Sequence, residues 1–237
     1  MSDQASATAT TRNGTLASSV EAVVTRQAVP NEAARGEEAR QRAVAAYKLA
    51  ACLGPRYSPQ RCSLRTFRLT HDRQRAAVER LRDVQASLTD FVKAGRCIVF
   101  YGSVGTGKDH LLAAMLYAAA MAGFSCHWVN GQEVYGAFRD RMDTGQREEG
   151  LLRELVAPDV LGVSDPIPPA GQPSAWNLAQ LYRLLDRRYR ALRGTWVSLN
   201  ALSPEDADQK LTAPIFDRLR EDAELVPCFW PSYREGW

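Results

Sequence analysis

The chain has 237 residues, 45% of them hydrophobic, and a formal net charge of +3. This length fits one α/β domain with an extension, and so small a charge does not by itself indicate a nucleic-acid partner. No apolar stretch reaches the roughly 18 residues that a membrane span needs, and the five cysteines and three histidines show no metal-binding spacing. We therefore expect a soluble, cytoplasmic protein with free thiols, the alternative being one disulfide between Cys52 and Cys62.

The N-terminal part is predicted to be an extension. Residues 1–30 are rich in Ser, Thr and Ala without a helical apolar stripe, which predicts a disordered tail. Residues 31–94 are predicted to form a helical and linker region, in which Asn31 can cap the first helix and Gly54-Pro55 ends it. Its predicted elements are a helix over 32–53, a loop over 55–71 and a helix over 72–94.

Apolar strands and helical runs alternate over residues 95–237. The predicted strands cover 97–101, 125–129, 159–163, 195–199 and about 224–229. The predicted helices cover 108–122, 132–141, 146–156, 176–192 and 203–221. Strands that are separated by helices form a parallel sheet with both faces covered. We therefore predict an α/β fold with a five-stranded parallel sheet and helices on both faces.

The stretch Gly102-Ser103-Val104-Gly105-Thr106-Gly107-Lys108 has the spacing of a phosphate-binding loop. It lies between an apolar strand and a helix, and its glycines let backbone N–H groups converge on phosphate oxygens at the positive end of that helix. Lys108 can reach the β- and γ-phosphates. The alternative is a tight turn in an α/β fold, against which the lysine and the flanking elements argue. We assign residues 102–110, including Asp109 and His110, to ATP binding.

Two positions depart from the usual ATP site. Position 109 should be Ser or Thr, whose hydroxyl ligates Mg²⁺, and it is Asp109. The strand over 159–163 should end in Asp followed by Asp or Glu, and it ends in Ser164-Asp165. Asp165 therefore takes the place of the acid that positions water, and Ser164 that of the metal-side acid. The alternatives are an ordinary Asp-Pro turn, or a slip by one position that makes Asp165 the metal-side acid.

These departures exchange a carboxylate and a hydroxyl between positions 109 and 164. We hypothesise a working Mg²⁺ site in which Asp109 ligates the ion directly and Ser164 contributes without ligating the ion itself. The alternative is independent decay of a site that no longer hydrolyses ATP.

Other polar residues fit the same site. Asn200 ends the strand over 195–199, where its amide can hold the attacking water or a γ-phosphate oxygen, unless it merely starts a turn. Arg218 and Arg220 lie near a helix end, and a guanidinium suits the charge of a phosphoryl transition state. The alternative for both arginines is a solvated helix face.

Arginines concentrate in two segments, residues 56–82 and 187–193. Such patches can neutralise DNA phosphates, and Tyr57 and Phe67 could stack bases. The alternatives are an arginine-rich surface and aromatic side chains of the core or of a nucleotide pocket.

In this order and spacing, the motifs resemble those of the DnaC/IstB-type AAA+ ATPases, which include replicative helicase loaders and transposition helper ATPases. The resemblance runs from about residue 55 to 234, through "GSVGTGKDHLL", "LDRRYRALRGTWVSLNAL", "IFDRLRED" and "FWPSYRE". It implies an AAA+ P-loop core without a lid domain, ATP binding by Gly105, Gly107 and Lys108, a sensor at Asn200 and an arginine finger at Arg218.

We consider three functions, the first two of which the resemblance implies. The first is an ATP-dependent loader that acts on a replicative helicase and single-stranded DNA and forms a homo-oligomer with ATP. The second is a helper ATPase of a transposase. The third is an adaptor that responds to ATP and hydrolyses it negligibly because of Asp109 and Ser164.

Overall fold

The computed structural model describes residues 32–168 and 173–234, so the predicted tail over 1–30 lies outside the described residues. The strands are β1 (Ile98–Gly102), β2 (Cys126–Asn130), β3 (Val160–Ser164), β4 (Gly194–Leu199) and β5 (Glu224–Cys228). The helices are α1 (Glu32–Leu53), α2 (Asp72–Ala86), α3 (Leu88–Lys93), α4 (Lys108–Met121), α5 (Gly131–Asp143), α6 (Glu148–Val156), α7 (Ala175–Arg190), α8 (Pro204–Leu211) and α9 (Ala213–Arg220).

The strands form one sheet in the order β2-β3-β4-β1-β5. Every neighbouring pair is parallel, so the predicted five-stranded parallel sheet is confirmed. Because the carboxyl ends of parallel strands meet at one edge, the loop after β1 lies at the same edge as the ends of β3 and β4. The register places Ser164 of β3 opposite Ser198 of β4 at that edge.

Helices cover both faces of the sheet, as predicted. Ile98 and Phe100 of β1 pack into one core cluster with residues of α1 to α4, and Val99 between them packs into a second cluster with residues of α5 to α9. This alternation follows from the pleat, which points successive side chains to opposite faces. Leu49 of α1 and Leu81 of α2 are fully buried, so the helices before residue 95 share the core of the sheet.

Helix α4 is the central helix of the first face. It begins at Lys108, directly after Gly107, and its side chains are buried nearly all round, including Leu111, Leu112, Met115 and Leu116. A helix that is apolar on every side needs cover on every side. Burial therefore fixes the start of α4, and with it the end of the glycine-rich loop.

Two predicted helices are each divided in the structure. The helix predicted over 72–94 is α2 and α3, which meet at Ser87. The helix predicted over 203–221 is α8 and α9, which meet at Thr212 with a φ of +71°. Pro214 explains the second break, because proline lacks the N–H that a continuous helix needs and its ring collides with the preceding turn.

The cysteines match the expectation of free thiols, since Cys52 and Cys62 form no disulfide. None of the helices in the described part of the chain has the length and apolar character of a membrane span.

Candidate nucleotide-binding site

The glycine-rich loop between β1 and α4 is a tight turn that closes around the lysine. Gly105 and Gly107 have positive φ values of 81° and 86°, which favour glycine. Lys108 Nζ donates hydrogen bonds to the carbonyl oxygens of Gly102 at 3.0 Å and Ser103 at 2.7 Å. Burial lowers the pKa of the Lys108 ammonium from its ordinary value, which the nearby acids oppose. The Lys108 side chain is therefore held against the glycine-rich loop, where it is predicted to bind phosphate.

Close packing also requires the two glycines. A Cβ atom on Gly105 would lie 2.0 Å from Ser232 Oγ, and one on Gly107 would lie 2.9 Å from a ring carbon of Phe67. The backbone N–H of Tyr233 donates to the carbonyl oxygen of Gly105 at 2.9 Å. A segment near the C-terminus thus packs directly on the loop.

A cavity of about 650 Å³ opens beside the loop, within the size range of ligand pockets. Loop residues through His110 line it from one side, and the predicted Asp165 and Asn200 line it from the sheet edge. The structure therefore brings six of the nine residues predicted over 102–110, together with Asp165 and Asn200, to a single cavity, whereas the predicted Ser164 does not line it. Arg218 does not line it.

Asp109 accepts hydrogen bonds from three hydroxyl groups. Ser164 Oγ lies 3.0 Å and Ser198 Oγ 2.6 Å from its Oδ1 atom, and the Tyr57 hydroxyl lies 3.4 Å from Oδ2. Ser164 and Ser198 are almost completely buried. The carboxylate at the start of α4 is therefore fixed against the ends of β3 and β4. Ser198 was absent from the predicted site.

Asp165 and Asn200 form a second polar pair. Asn200 Nδ2 donates to Asp165 Oδ1 at 2.7 Å, and the backbone N–H of Asp165 donates to the Ser198 carbonyl at 3.2 Å. Burial raises the pKa of the Asp165 carboxyl above its ordinary value, and the negative charge of Asp109 adds to this. A carboxylate that binds a proton more readily is better suited to accept one from water.

His110 connects α4 to the segment before α2. Its ring packs edge-on against Phe67 with 5.3 Å between centroids, and its Nε2 lies 3.2 Å from the carbonyl oxygen of Ser63. Burial lowers the pKa of the His110 imidazole. One of its ring nitrogens is thus already engaged within the chain, although the residue lines the cavity.

Four arginines that were not predicted to belong to the site also line the cavity. They are Arg56, Arg61, Arg68 and Arg234. The acidic residues that line the same cavity are Asp109 and Asp165. The basic composition of 56–82 was the available signal, but its proximity to the loop depends on the tertiary fold.

Arg218 lies at a different place, between α7 and α9. Its Nη2 donates to Asp186 Oδ1 at 2.9 Å and to the Tyr182 hydroxyl at 3.0 Å. Its guanidinium also stacks over the Tyr182 ring, 4.6 Å from the centroid. The predicted finger is therefore bound within its own chain and away from its own cavity.

The second basic segment is tied to acids and carbonyls of the same chain. Arg187 pairs with Glu149, Arg190 with Asp186, and Arg193 with Asp159. Arg188 is fully buried. The segment 187–193 is thus not a free cluster of cations.

The donor set suits Mg²⁺ bound together with a nucleotide. Within residues 32–168 and 173–234 there is no group of three or more His, Cys, Asp or Glu side chains that could hold a metal ion by itself. Mg²⁺ commonly uses one or two carboxylates and completes its shell with water and substrate phosphates. Asp109 lines the cavity together with Lys108 and can supply one such carboxylate, so the residues fit this ion.

The sheet order and the loop after β1 define a P-loop nucleotide-binding fold of the AAA+ type. The chain belongs to the family of IstB-like ATP binding proteins, whose model matches residues 6–236. The resemblance inferred from the motifs is confirmed.

Similar proteins include the replicative helicase loader DnaC of Escherichia coli K12, which is 28% identical over 177 residues, or 74% of this chain and 70% of DnaC. A crystal structure of the DnaC helicase loader superposes with a TM-score of 0.65 at 22% identity, covering 74% of this chain and 99% of that one. The replication initiator DnaA bound to AMPPCP and single-stranded DNA superposes with a TM-score of 0.60 at 20% identity, covering 76% and 51%.

Proposed function

We propose that this protein is an ATP-binding switch that acts on a replicative helicase in the cytoplasm. The observation that carries the ATP part is the cavity at the sheet edge, where the loop, Lys108, Asp165 and Asn200 meet. The helicase part is supported by the 28% identity to a replicative helicase loader over 74% of the chain. The competing possibility is that the partner is a transposase, and a binding test distinguishes the two.

The residues of the cavity have separate roles in this proposal. The backbone N–H groups of the loop and the Lys108 ammonium bind the phosphates. Asp165, held by Asn200, orients the attacking water and accepts its proton. Asp109 would hold Mg²⁺, which would supply positive charge to offset the negative charge of the triphosphate.

Arg218 has its role between subunits. It lines no part of its own cavity and lies on the outer side of α9 against α7. We assign it to the nucleotide of a neighbouring subunit, which makes the active form a homo-oligomer. Single-stranded DNA would be bound through its phosphates by exposed arginines of the segment 56–82 that do not line the cavity, namely Arg65, Arg75 and Arg82.

The first test replaces Lys108 by Ala and measures a fluorescent ATP analogue by titration with Mg²⁺. Loss of a charged donor to phosphate costs about 1.5–3 kcal/mol, so affinity should fall roughly 10- to 100-fold. Arg187→Ala is the control, since its partner Glu149 lies outside the cavity. Unchanged affinity in Lys108→Ala would contradict ATP binding at this loop.

The partner is tested separately with purified proteins. The replicative helicase of the organism that encodes this chain should co-elute with it when an ATP analogue is present, and Lys108→Ala should weaken the complex. A transposase of the same organism serves as the competing partner. Binding of the transposase in place of the helicase would assign the protein to transposition and would leave ATP binding intact.

A further inference from the structure

Asp109 and Ser164 carry, in exchanged positions, the carboxylate and the hydroxyl that hold Mg²⁺ in an ordinary P-loop site. There, a hydroxyl follows the lysine and a carboxylate ends another strand of the sheet, and together they hold Mg²⁺. Here the carboxylate follows the lysine and the hydroxyl ends β3, and Ser164 Oγ donates to Asp109 Oδ1 at 3.0 Å. The same two positions remain in contact, with donor and acceptor exchanged.

Ser198 supplies a second hydrogen bond that holds the Asp109 carboxylate in place. It faces Ser164 in the register of β3 and β4, and both hydroxyls point to the same oxygen, Asp109 Oδ1. Two hydrogen bonds occupy both lone pairs of that oxygen. Both serines are almost completely buried, so their protons have little access to water.

The second oxygen of Asp109 is left available. Its contact within the described residues is the Tyr57 hydroxyl at 3.4 Å, which is long for an O–H···O hydrogen bond. Asp109 also lines the cavity together with Lys108. The carboxylate is therefore oriented by two short hydrogen bonds to Oδ1, and a cation at Oδ2 would have to displace only the long contact from Tyr57.

We propose that Asp109 Oδ2 is a direct ligand of the Mg²⁺ that accompanies ATP, with Ser164 and Ser198 as positioning residues that fix the carboxylate through Oδ1. This inference rests on the proposed ATP binding and concerns the same cavity. A carboxylate at position 109 also differs from a hydroxyl in its negative charge. Without the cation, the Asp109 carboxylate repels the triphosphate, so nucleotide binding depends strictly on Mg²⁺.

The test measures the dissociation constant of a fluorescent ATP analogue in Mg²⁺ and in EDTA, without any need for hydrolysis. For the wild-type protein we expect affinity to fall on the order of 100-fold in EDTA, which is the upper range of coupling between two ligands. In Asp109→Thr the ratio should shrink to severalfold, because binding improves in EDTA while binding in Mg²⁺ weakens.

Asp165→Asn is the matched charge control. It removes one negative charge from the same cavity without removing the proposed ligand. If Asp109 acts by ligation, Asp165→Asn keeps most of the Mg²⁺ dependence that Asp109→Thr loses. Equal effects in the two variants would mean that only the local field matters, and would overturn the proposal.

The exchange of positions is tested by a double-mutant cycle. Ser164→Asp places a second carboxylate beside Asp109 and should weaken Mg²⁺-dependent binding, whereas Asp109→Thr with Ser164→Asp restores the usual arrangement and should recover it. Additive losses would overturn the proposal, as would a Mg²⁺ dependence that Asp109→Thr leaves unchanged. If the wild-type protein binds no nucleotide even with Mg²⁺, the proposed function itself fails and this inference fails with it.

Discussion

Arg188 and Arg218 lie on helices of the same sheet face, and their surroundings differ in kind. Arg188 is fully buried, and its hydrogen-bond acceptors among the described residues are uncharged oxygen atoms. Its guanidinium donates to Thr195 Oγ1 and to five backbone carbonyls, those of Leu155, Val156, Pro158, Asp159 and Gly194. Arg218 is partly exposed and binds one carboxylate, Asp186, and one aromatic ring, Tyr182.

The difference separates a structural arginine from an available one. Burial lowers the pKa of Arg188 to about 9, which still leaves it charged at pH 7, and its donors complete the ends of α6 and β4. Removing it would leave several buried carbonyls without a donor. Arg218 can leave its contacts with Asp186 and Tyr182 at small cost, because water can replace them. We therefore expect loss of Arg188 to affect folding and loss of Arg218 to affect function.

The largest effect is expected for Arg218→Ala. Loss of an arginine finger typically lowers turnover on the order of 10³-fold or more, so ATP turnover of the oligomer should become very small. Affinity for ATP should change little, because Arg218 does not line its own cavity. Turnover and nucleotide binding are measured on the same samples. Arg220→Ala is the control, since Arg220 is more exposed and pairs with Asp217.

Mixing experiments decide whether Arg218 acts between subunits. Arg218→Ala subunits mixed with Lys108→Ala subunits should regain part of the turnover, because some interfaces then combine an intact loop with an intact finger. Turnover should also rise more steeply than linearly with protein concentration. Inactive mixtures, together with linear turnover of the wild-type protein, would contradict a role in the neighbouring site.

A smaller effect, on stability, is expected for Arg188→Met. Methionine fills much of the space but leaves the buried carbonyls unsatisfied, which should lower the free energy of unfolding by about 3 kcal/mol. Urea denaturation followed by circular dichroism measures this. Arg187→Met, next to it but only partly buried and paired with Glu149, should shift the midpoint little. If Arg188→Met is as stable as Arg187→Met, the carbonyl contacts are dispensable and the contrast between the two arginines is lost.

Sequence patterns predicted the fold well because its elements are locally periodic. Each strand of the sheet lies within about one residue of its predicted bounds, and α4 follows the glycine-rich loop as expected. The two divided helices were wrong. Pro214 was a visible signal for the second break. The first break lies at Ser87, which is the C-cap of α2 and the N-cap of α3.

The candidate site was predictable where its residues are close in sequence or end a strand. The contact between Asp109 and Ser198 joins residues 89 positions apart and depends on β4 lying beside β3. Local patterns do not contain strand order, so Ser198 was missed. The same reason applies to Arg188, which looks like one member of a basic run, although the fold buries it. Of the four arginines in the segment 187–193, Arg188 is therefore unavailable to DNA, and a role of the segment in DNA binding stays a prediction.

The smallest effect is expected for Asp186→Asn. Asp186 Oδ1 accepts from Arg218, and its Oδ2 lies 3.0 Å from Arg190 Nε, so it holds two arginines at the surface of α7. If Arg218 must leave Asp186 to reach a neighbouring subunit, that contact opposes assembly. Weakening a partly exposed ion pair changes an equilibrium by about two- to fivefold.

Asp186→Asn should therefore lower, by that factor, the protein concentration at which ATP turnover is half-maximal. Asp217→Asn is the matched control, because it frees Arg220, which has no role in the proposed site. The direction of the shift discriminates between two roles of Asp186. A lower concentration means that Asp186 holds Arg218 back in the free subunit. A higher half-maximal concentration means that the contact orients Arg218 or stabilises the packing of α7 on α9. Arg218 would then act without leaving Asp186.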